Sequence, residues 1–277
     1  GVRYVNNTPY GDATLRFALN DGTDTTNADV TVTSSTITVD RTDAHSNGDD
    51  SDGDAADGFS LREALARGVA QAGADTLKLK GLVTGSTVTL AGSTATLGVG
   101  DMLDFTLAGG QTLVIAGSSG GGLTLAGASK IAVGGGTPLL TISADISGVG
   151  SLEKINPKLL VLSGNNTYTG TTTISAGGLT VSGGSAIADS SAVTVASGAT
   201  LTLSTSETIG SLAGAGAVVL GANTLSAGGD TTSTTFSGAI SGSGSFVKTG
   251  SGSFTLSGTN TYTGTTTLSA GGLTVSG

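Results

Sequence analysis

The feature that most constrains the fold of this chain is an almost exact internal repeat. A segment of 21 residues that begins at Ser163 occurs again from Ser257, 94 residues later. The copies differ only at Asn165 against Thr259 and at Ile174 against Leu268. A fixed internal period is typical of folds that stack one structural unit on the next. We therefore expect both copies to form the same unit at two heights of one rod.

Short runs of alternating aliphatic and small polar residues extend from residue 77 to residue 275, as in Leu179-Thr180-Val181. This period of two predicts strands with one buried face. Turn residues bound the runs, a pattern that fits a β-sandwich or a β-solenoid, and the long repeat favours the solenoid. At about 20 to 25 residues per coil, 94 residues correspond to about four coils.

The composition supports stacked coils over a flexible linker. The chain of 277 residues has 48 glycines, which suit the tight corners of a solenoid. A flexible linker would not keep its aliphatic residues in alternating register. At about 4.8 Å per coil, the part after residue 75 should form a rod about 40 to 50 Å long.

The N-terminal region has a different character. Residues 1–58 contain eleven Asp, and Ser60 with Glu63 forms a helix-capping pattern ahead of Leu61 and Leu65. The segment 14–19 has a weaker pattern of the same kind. We therefore predict an acidic capping region with a short helix over residues 1–75 and a parallel β-helix over 76–277.

Two segments resemble known families. The run Ser60-Leu61-Arg62-Glu63-Ala64-Leu65 is similar to the SLREAI module that precedes secreted right-handed β-helices. The NTYTGTTT runs from Asn166 and from Asn260 resemble the autotransporter-associated β-strand repeat. The second resemblance implies rungs of a right-handed passenger β-helix that crosses the outer membrane and folds outside the cell. It therefore implies an extracellular location, secreted or on a bacterial cell surface.

Charge and composition exclude several classes of function. The net charge of −9 argues against nucleic acid as a partner, because a phosphate backbone requires a basic face. The absence of cysteine excludes disulfides and thiol catalysis. No apolar run reaches the 18 or so residues of a membrane-spanning helix, so we expect that this segment does not span a membrane.

One candidate cofactor emerges, a calcium ion in the acidic N-terminal loop. Asp50, Asp52 and Asp54 alternate with small residues around Gly53, as oxygen ligands do around Ca²⁺ in flexible loops. The alternative is a solvated acidic loop, because the full EF-hand spacing is missing. His45, the only histidine, lies in the same acidic region, and we expect no special role for it.

Other polar residues are candidates for catalytic or binding roles. Tyr168 and Tyr262 occupy equivalent repeat positions, and we expect them to pack over corners, not to stack against sugars. A lyase or glycoside hydrolase would need converging carboxylates. The charged residues of the repeat region are isolated in sequence, which predicts solvated side chains: Asp145, Glu153, Asp189, Glu207, Asp230, Lys154, Lys158 and Lys248.

These observations predict a non-enzymatic structural and adhesive segment, an extracellular β-helical stalk of an autotransporter-like surface protein. Glycans, matrix or further copies of the chain are the candidate partners. Two alternatives stay open from the sequence. One is a polysaccharide-processing β-helix, and the other is a self-assembling surface filament or layer protein.

Overall fold

The computed structural model describes residues 13–20, 25–33, 36–39, 76–79, 86–91, 95–107, 112–118, 121–135 and 139–276. Every regular element in these ranges is a strand. In chain order they are β1 (Ala13–Asn20), β2 (Thr25–Thr33), β3 (Thr36–Val39), β4 (Thr76–Leu79), β5 (Ser86–Ala91), β6 (Ala95–Leu97), β7 (Met102–Leu107), β8 (Thr112–Ser118), β9 (Gly122–Leu125), β10 (Ser129–Gly135), β11 (Leu139–Ile142), β12 (Asp145–Gly148), β13 (Leu152–Ile155), β14 (Leu159–Leu162), β15 (Thr172–Ile174), β16 (Gly178–Val181), β17 (Ala192–Val195), β18 (Thr200–Leu203), β19 (Glu207–Ile209), β20 (Ser211–Gly214), β21 (Ala217–Val219), β22 (Thr224–Ala227), β23 (Thr234–Phe236), β24 (Ala239–Ser241), β25 (Ser245–Lys248), β26 (Ser253–Leu256), β27 (Thr266–Leu268) and β28 (Gly272–Val275).

The strands from β4 onward form a parallel β-solenoid with three faces, which confirms the predicted fold class. Face 1 is a 13-stranded sheet that runs from β1 to β28, and face 2 is an eight-stranded sheet from β5 to β24. Face 3 consists of a three-stranded sheet (β6, β9, β12) and a four-stranded sheet (β19, β22, β25, β27). The predicted right-handed course of the coils stays a prediction, in line with the general preference of parallel crossovers.

The N-terminal strands enter the same sheet. β1 pairs with β2 and β2 with β3 in antiparallel fashion, whereas β3 pairs with β4 in parallel. The helical pattern proposed for residues 14–19 is therefore wrong, because this segment lies in β1. The predicted capping helix near Ser60, His45 and the aspartates at 50, 52 and 54 lie outside the described residues.

The coil length explains where the two repeat copies lie. On face 2 the register advances 20 residues from Leu139 to Leu159 and 19 from Leu159 to Gly178. In the first copy, β15 lies on face 1 and β16 on face 2; in the second, β27 lies on face 3 and β28 on face 1. The offset of 94 residues thus spans four full coils and two further faces, not the predicted four coils. The copies point in different directions around the rod.

The interior is built from inward residues that stack on their equivalents in the next coil. On face 2, the register aligns Leu160 with Leu179, Leu201, Val218 and Ile240, and each of these side chains is fully buried. The residues between them point outward, because successive side chains of a strand alternate between its faces. The predicted inward and outward assignment is confirmed for this strand set.

Glycine is required where a corner of one coil lies directly on the corner below. A Cβ built on Gly170 would overlap the carbonyl group of Gly150 in the preceding coil, and one on Gly264 would overlap that of Gly244. Gly229, in contrast, has open space around the position that a Cβ would take. The glycine content therefore reflects close backbone contact between coils.

We predict that Leu179→Asp unfolds the coils around it, whereas Thr180→Asp is tolerated. Leu179 is fully buried between Leu160 and Leu201, so a carboxylate there would lack water and a partner and would cost several kcal/mol. Thr180 points outward, where substitutions change stability by about 0.5 kcal/mol. Hydrogen exchange and thermal melting of the two variants measure the difference. Equal losses in both variants would contradict the assignment of the two faces.

Candidate functional site

The distinctive chemistry of the described residues lies between neighbouring coils, inside the solenoid. The buried polar and charged residues in these ranges are Asp101, Ser129, Lys154, Asn166, Thr172, Ser191, Glu207, Ser211 and Lys248. Asn166 and Thr172 belong to the first repeat copy, while Lys154 and Lys248 lie on β13 and β25, two strands before the respective copies. The prediction of solvated side chains is therefore wrong for Lys154, Lys248 and Glu207.

Lys154 points inward from β13 and binds the corner of its own coil and of the next one. Its Nζ donates hydrogen bonds to the carbonyl oxygens of Ile155 at 2.8 Å, Asn156 at 2.6 Å and Ala176 at 3.1 Å. Asn156 has a φ of 69°, which turns the chain at this corner. Burial lowers the pKa of Lys154 to about 8. The ammonium group thus joins two coils through backbone acceptors.

Lys248 repeats this arrangement one repeat later. Its Nζ donates to the carbonyl oxygens of Thr249, of Gly250 at 3.0 Å and of Ala270 at 3.5 Å. Gly250 has a φ of 63° at the position equivalent to that of Asn156. The sequence did carry a signal for these two buried lysines, since both occupy an inward position of an alternating strand and recur at the offset of 94.

Asn166 replaces backbone hydrogen bonds where face 3 has no strand. Its Oδ1 accepts a hydrogen bond from the N–H of Ile146 at 2.8 Å, and its Nδ2 donates to the carbonyl oxygen of Ala186 at 2.5 Å. One side-chain amide therefore connects the coil below with the coil above. In the second copy, Asn260 accepts from the N–H of Ile240 at 3.0 Å in the same way.

Tyr168 packs inside the corner, as predicted, so its ring is not a surface for sugar stacking. The side chain is fully buried, and its hydroxyl lies 2.6 Å from Oγ1 of Thr172, which in turn lies 2.9 Å from Oγ of Ser191. Burial raises the pKa of Tyr168 to about 12. Tyr262 is half-buried on the last coil, and its hydroxyl lies 2.5 Å from Oγ1 of Thr266.

Glu207 begins β19, the first strand of the second sheet on face 3, and its side chain is only 3% exposed. Its Oε1 accepts a hydrogen bond from the N–H of Ile187 at 2.8 Å, while Oε2 has no hydrogen-bond partner among the residues that the structure describes. Burial raises the pKa of Glu207 to about 7. The carboxyl group closes the loop of the preceding coil and incurs a desolvation cost when it is ionised.

Glu153 and Asp230 lie apart, and each is held by its own neighbours. Glu153 accepts a hydrogen bond from Ser175 at 2.6 Å and lies 3.2 Å from Lys130, and the Ser175 bond and this cation lower its pKa. Asp230 accepts from Ser211 at 2.5 Å. Within the described ranges, no group of three His, Cys, Asp or Glu residues could hold a metal ion. The calcium site at Asp50, Asp52 and Asp54 stays a prediction.

The part of the chain that the structure describes contains no helix long and apolar enough to cross a membrane.

The outward positions of the strands carry mainly hydroxyl groups. On face 1 the register places Thr173 over Glu153 and below Thr194, and further along it aligns Thr235 with Thr255. The rod therefore combines a polar, weakly charged exterior with ionisable groups inside.

We predict that replacing Glu207 removes most of the pH dependence of stability between about pH 5 and 8. The pKa of its carboxyl is about 7 in the folded protein and near 4.5 when unfolded, so the folded state binds the proton more tightly. Stability should fall by up to about 3 kcal/mol as the pH rises through this window. Glu207→Gln should flatten the profile, as measured by chemical denaturation at each pH.

Glu153→Gln is the matched control for this experiment, because the pKa of Glu153 is lowered and its stabilising contribution is lost only in more acidic solution. Its profile from pH 5 to 8 should follow that of the unchanged protein. An unchanged profile for Glu207→Gln would show that this carboxyl remains solvated.

Comparison with known proteins identifies the same repeat. The family model of the passenger-associated-transport-repeat matches residues 152–184 and 246–275. The matched segments begin at equivalent strands, β13 and β25, and contain both buried lysines and both asparagine–tyrosine corners. The prediction of autotransporter-associated repeats is confirmed, whereas the SLREAI-type module stays a prediction.

A curated relative supports the same relationship over a longer stretch. The chain is 42% identical over 163 residues to the adhesin BmaC autotransporter of Brucella suis biovar 1 (strain 1330). The aligned region covers 57% of this chain and 5% of that protein, so the chain spans a small part of its relative. No solved structure matches the chain. The chain is therefore a parallel β-solenoid that carries two passenger-associated-transport repeats and is homologous to a segment of an autotransporter adhesin.

Proposed function

We propose that this chain is an extracellular structural and adhesive segment of an autotransporter-like protein, displayed on a bacterial cell surface or secreted. The proposal rests on one observation: residues of the passenger-associated repeat hold neighbouring coils together. Lys154 and Asn166 donate hydrogen bonds to neighbouring coils, and Gly170 lies against the Gly150 carbonyl of the preceding coil. The Tyr168 hydroxyl lies against Thr172, which in turn contacts Ser191 of the next coil. Such a unit is suited to building a rod, not to forming a single sharp recognition site.

The dimensions of the solenoid suit a stalk. Ten parallel strands of face 1, from β4 to β28, extend about 43 Å at about 4.8 Å per coil. Each coil buries its apolar residues only against its neighbours, so length can be added without enlarging the cross-section. We infer that residues 1–75 form a capping region and that residues 76–277 form the rod.

The adhesive part of the proposal rests on the outward residues. Thr173, Thr194, Thr235 and Thr255 present neutral hydroxyl groups along face 1. Ala213 lies between Thr194 and Thr235 in this register, so the hydroxyl groups form two pairs on neighbouring coils. Such groups suit weak contacts with glycans, matrix or further copies of the chain, and many weak contacts add up to avidity. The two repeat copies face different directions, so this avidity would come from the threonines of face 1 and not from the copies acting together.

The same geometry supports a non-enzymatic role. Glycoside hydrolysis requires two carboxyl groups on either side of one bond. In the described part of the chain, Glu207 is enclosed between coils, while Glu153 and Asp230 are bound by serines of their own surroundings. These arrangements stabilise the rod, and we assign no catalytic residue.

We predict that surface display of the full-length protein depends on close coil stacking. Gly170→Ala places a Cβ against the Gly150 carbonyl and should destabilise the rod by about 1–3 kcal/mol, whereas Gly229→Ala meets open space. Losses of this size change the amount of folded protein in cells several-fold. Antibody labelling of intact cells should therefore fall several-fold for Gly170→Ala alone.

Attachment of the same cells to glycan-coated and matrix-coated surfaces tests the adhesive role. We expect attachment to fall in parallel with display for Gly170→Ala and to stay unchanged for Gly229→Ala. Deletion of residues 76–277 should abolish the part of the attachment that this segment supplies. Full attachment after that deletion would show that adhesion resides elsewhere in the protein.

A further inference from the structure

The loop between β14 and β15 crosses face 3 in an extended form. Asn165, Thr167 and Thr169 are exposed, whereas Asn166 and Tyr168 between them are buried. This alternation places residues two apart on the same side of the chain. The side chains of Asn165 and Thr167 therefore point out of the solenoid together.

Backbone contacts hold this outward pair in position. The N–H of Asn165 donates to Oδ1 of Asp145 at 2.7 Å, and the N–H of Thr167 donates to the carbonyl oxygen of Ile146 at 2.8 Å. The buried neighbour Asn166 is tied to the coils above and below. The outward amide and hydroxyl are thus presented on a fixed backbone, away from the interior.

Asn165-Asn166-Thr167 has the acceptor pattern for N-linked glycosylation, an Asn followed two residues later by Ser or Thr with no Pro between them. We propose that Asn165 is an N-glycosylation site, which receives a hexose from a nucleotide-activated sugar. The pattern alone is common by chance. The exposure of both its side chains on one side of an extended segment is what favours this position.

The neighbouring asparagines provide internal comparisons. Asn166 is buried and its Nδ2 donates to Ala186, and the residue two positions after it is a tyrosine. Asn260 is also followed by a tyrosine at this distance, and Thr259 occupies the position equivalent to Asn165. The acceptor pattern is therefore present in the first copy and absent from the second. Asn6 also fits the pattern but lies outside the described residues.

The transfer is balanced by the sugar donor. Nδ2 of Asn165 forms a bond to the anomeric carbon of the hexose, and the bond from that carbon to the diphosphate oxygen breaks. The nucleoside diphosphate leaves with the electron pair, and the amide loses one proton to a base of the transferase. The product carries a neutral polar group on the outside of face 3, where the exposed side chain leaves room for it.

Peptide mass spectrometry tests the site in two settings. The first is the full-length protein isolated from the cells that produce it, in which we expect a hexose on the peptide that contains Asn165. The second is the purified, folded chain incubated with UDP-glucose and a soluble transferase specific for Asn-X-Ser/Thr. In this reaction Asn165 should gain one hexose, and Asn165→Thr, which installs the residue of the second copy, should lose it.

Thr259→Asn provides the matched gain-of-site variant. It creates the acceptor pattern in the second copy, where residues 259 and 261 are exposed and residue 260 is half-buried, so a second modified peptide should appear. An unmodified Asn165 in protein from the producing cells overturns the proposal. Modification of the purified chain only after denaturation also overturns it, because the folded solenoid would then not present the site.

Discussion

Successive coils of this solenoid lie in parallel register about 4.8 Å apart, so each residue contacts its equivalent in the coils on either side. Inward positions must therefore hold side chains that stack on one another, as Leu160, Leu179 and Leu201 do. Corner positions must admit the backbone of the next coil, which explains Gly170 above Gly150. The core residues and the corner glycines of each coil follow from this stacking of equivalent positions.

The polar interior is a second consequence of the same stacking. Where face 3 lacks a strand, backbone groups of neighbouring coils lose their usual partners, and an unpaired buried N–H or C=O is costly. Asn166 and Glu207 supply acceptors for the N–H groups of Ile146 and Ile187, and Lys154 satisfies carbonyl oxygens at a corner. These side chains substitute for missing parts of the ladder. Glu207 does so with one carboxyl oxygen, and its burial raises its pKa to about 7, so its charge changes near neutral pH.

Much of the fold could be predicted from the sequence because alternation and repetition report on stacking directly. These patterns predicted the strand that contains Leu179 and the packed corner at Tyr168, and the structure confirms both. The directions of the two copies could not be predicted, because they depend on the length of each coil to within a few residues. Lys154 was missed because its charge suggested solvent, although its place in the alternation indicated the interior. The helical prediction for residues 14–19 was wrong because a short apolar run fits a helix and a strand equally well.

The displacement of the second copy by two faces beyond four full coils bears on how such a chain can lengthen. The same 21-residue segment forms strands on faces 1 and 2 in the first copy and on faces 3 and 1 in the second. The segment therefore adopts its strands on different sides of the rod. The second copy lies four coils and two faces beyond the first, and its strands still pair with those of the preceding coil, so such a segment need not recur after a whole number of coils. A copy placed in this way keeps its strands in the stack and turns its outward residues toward another side of the rod.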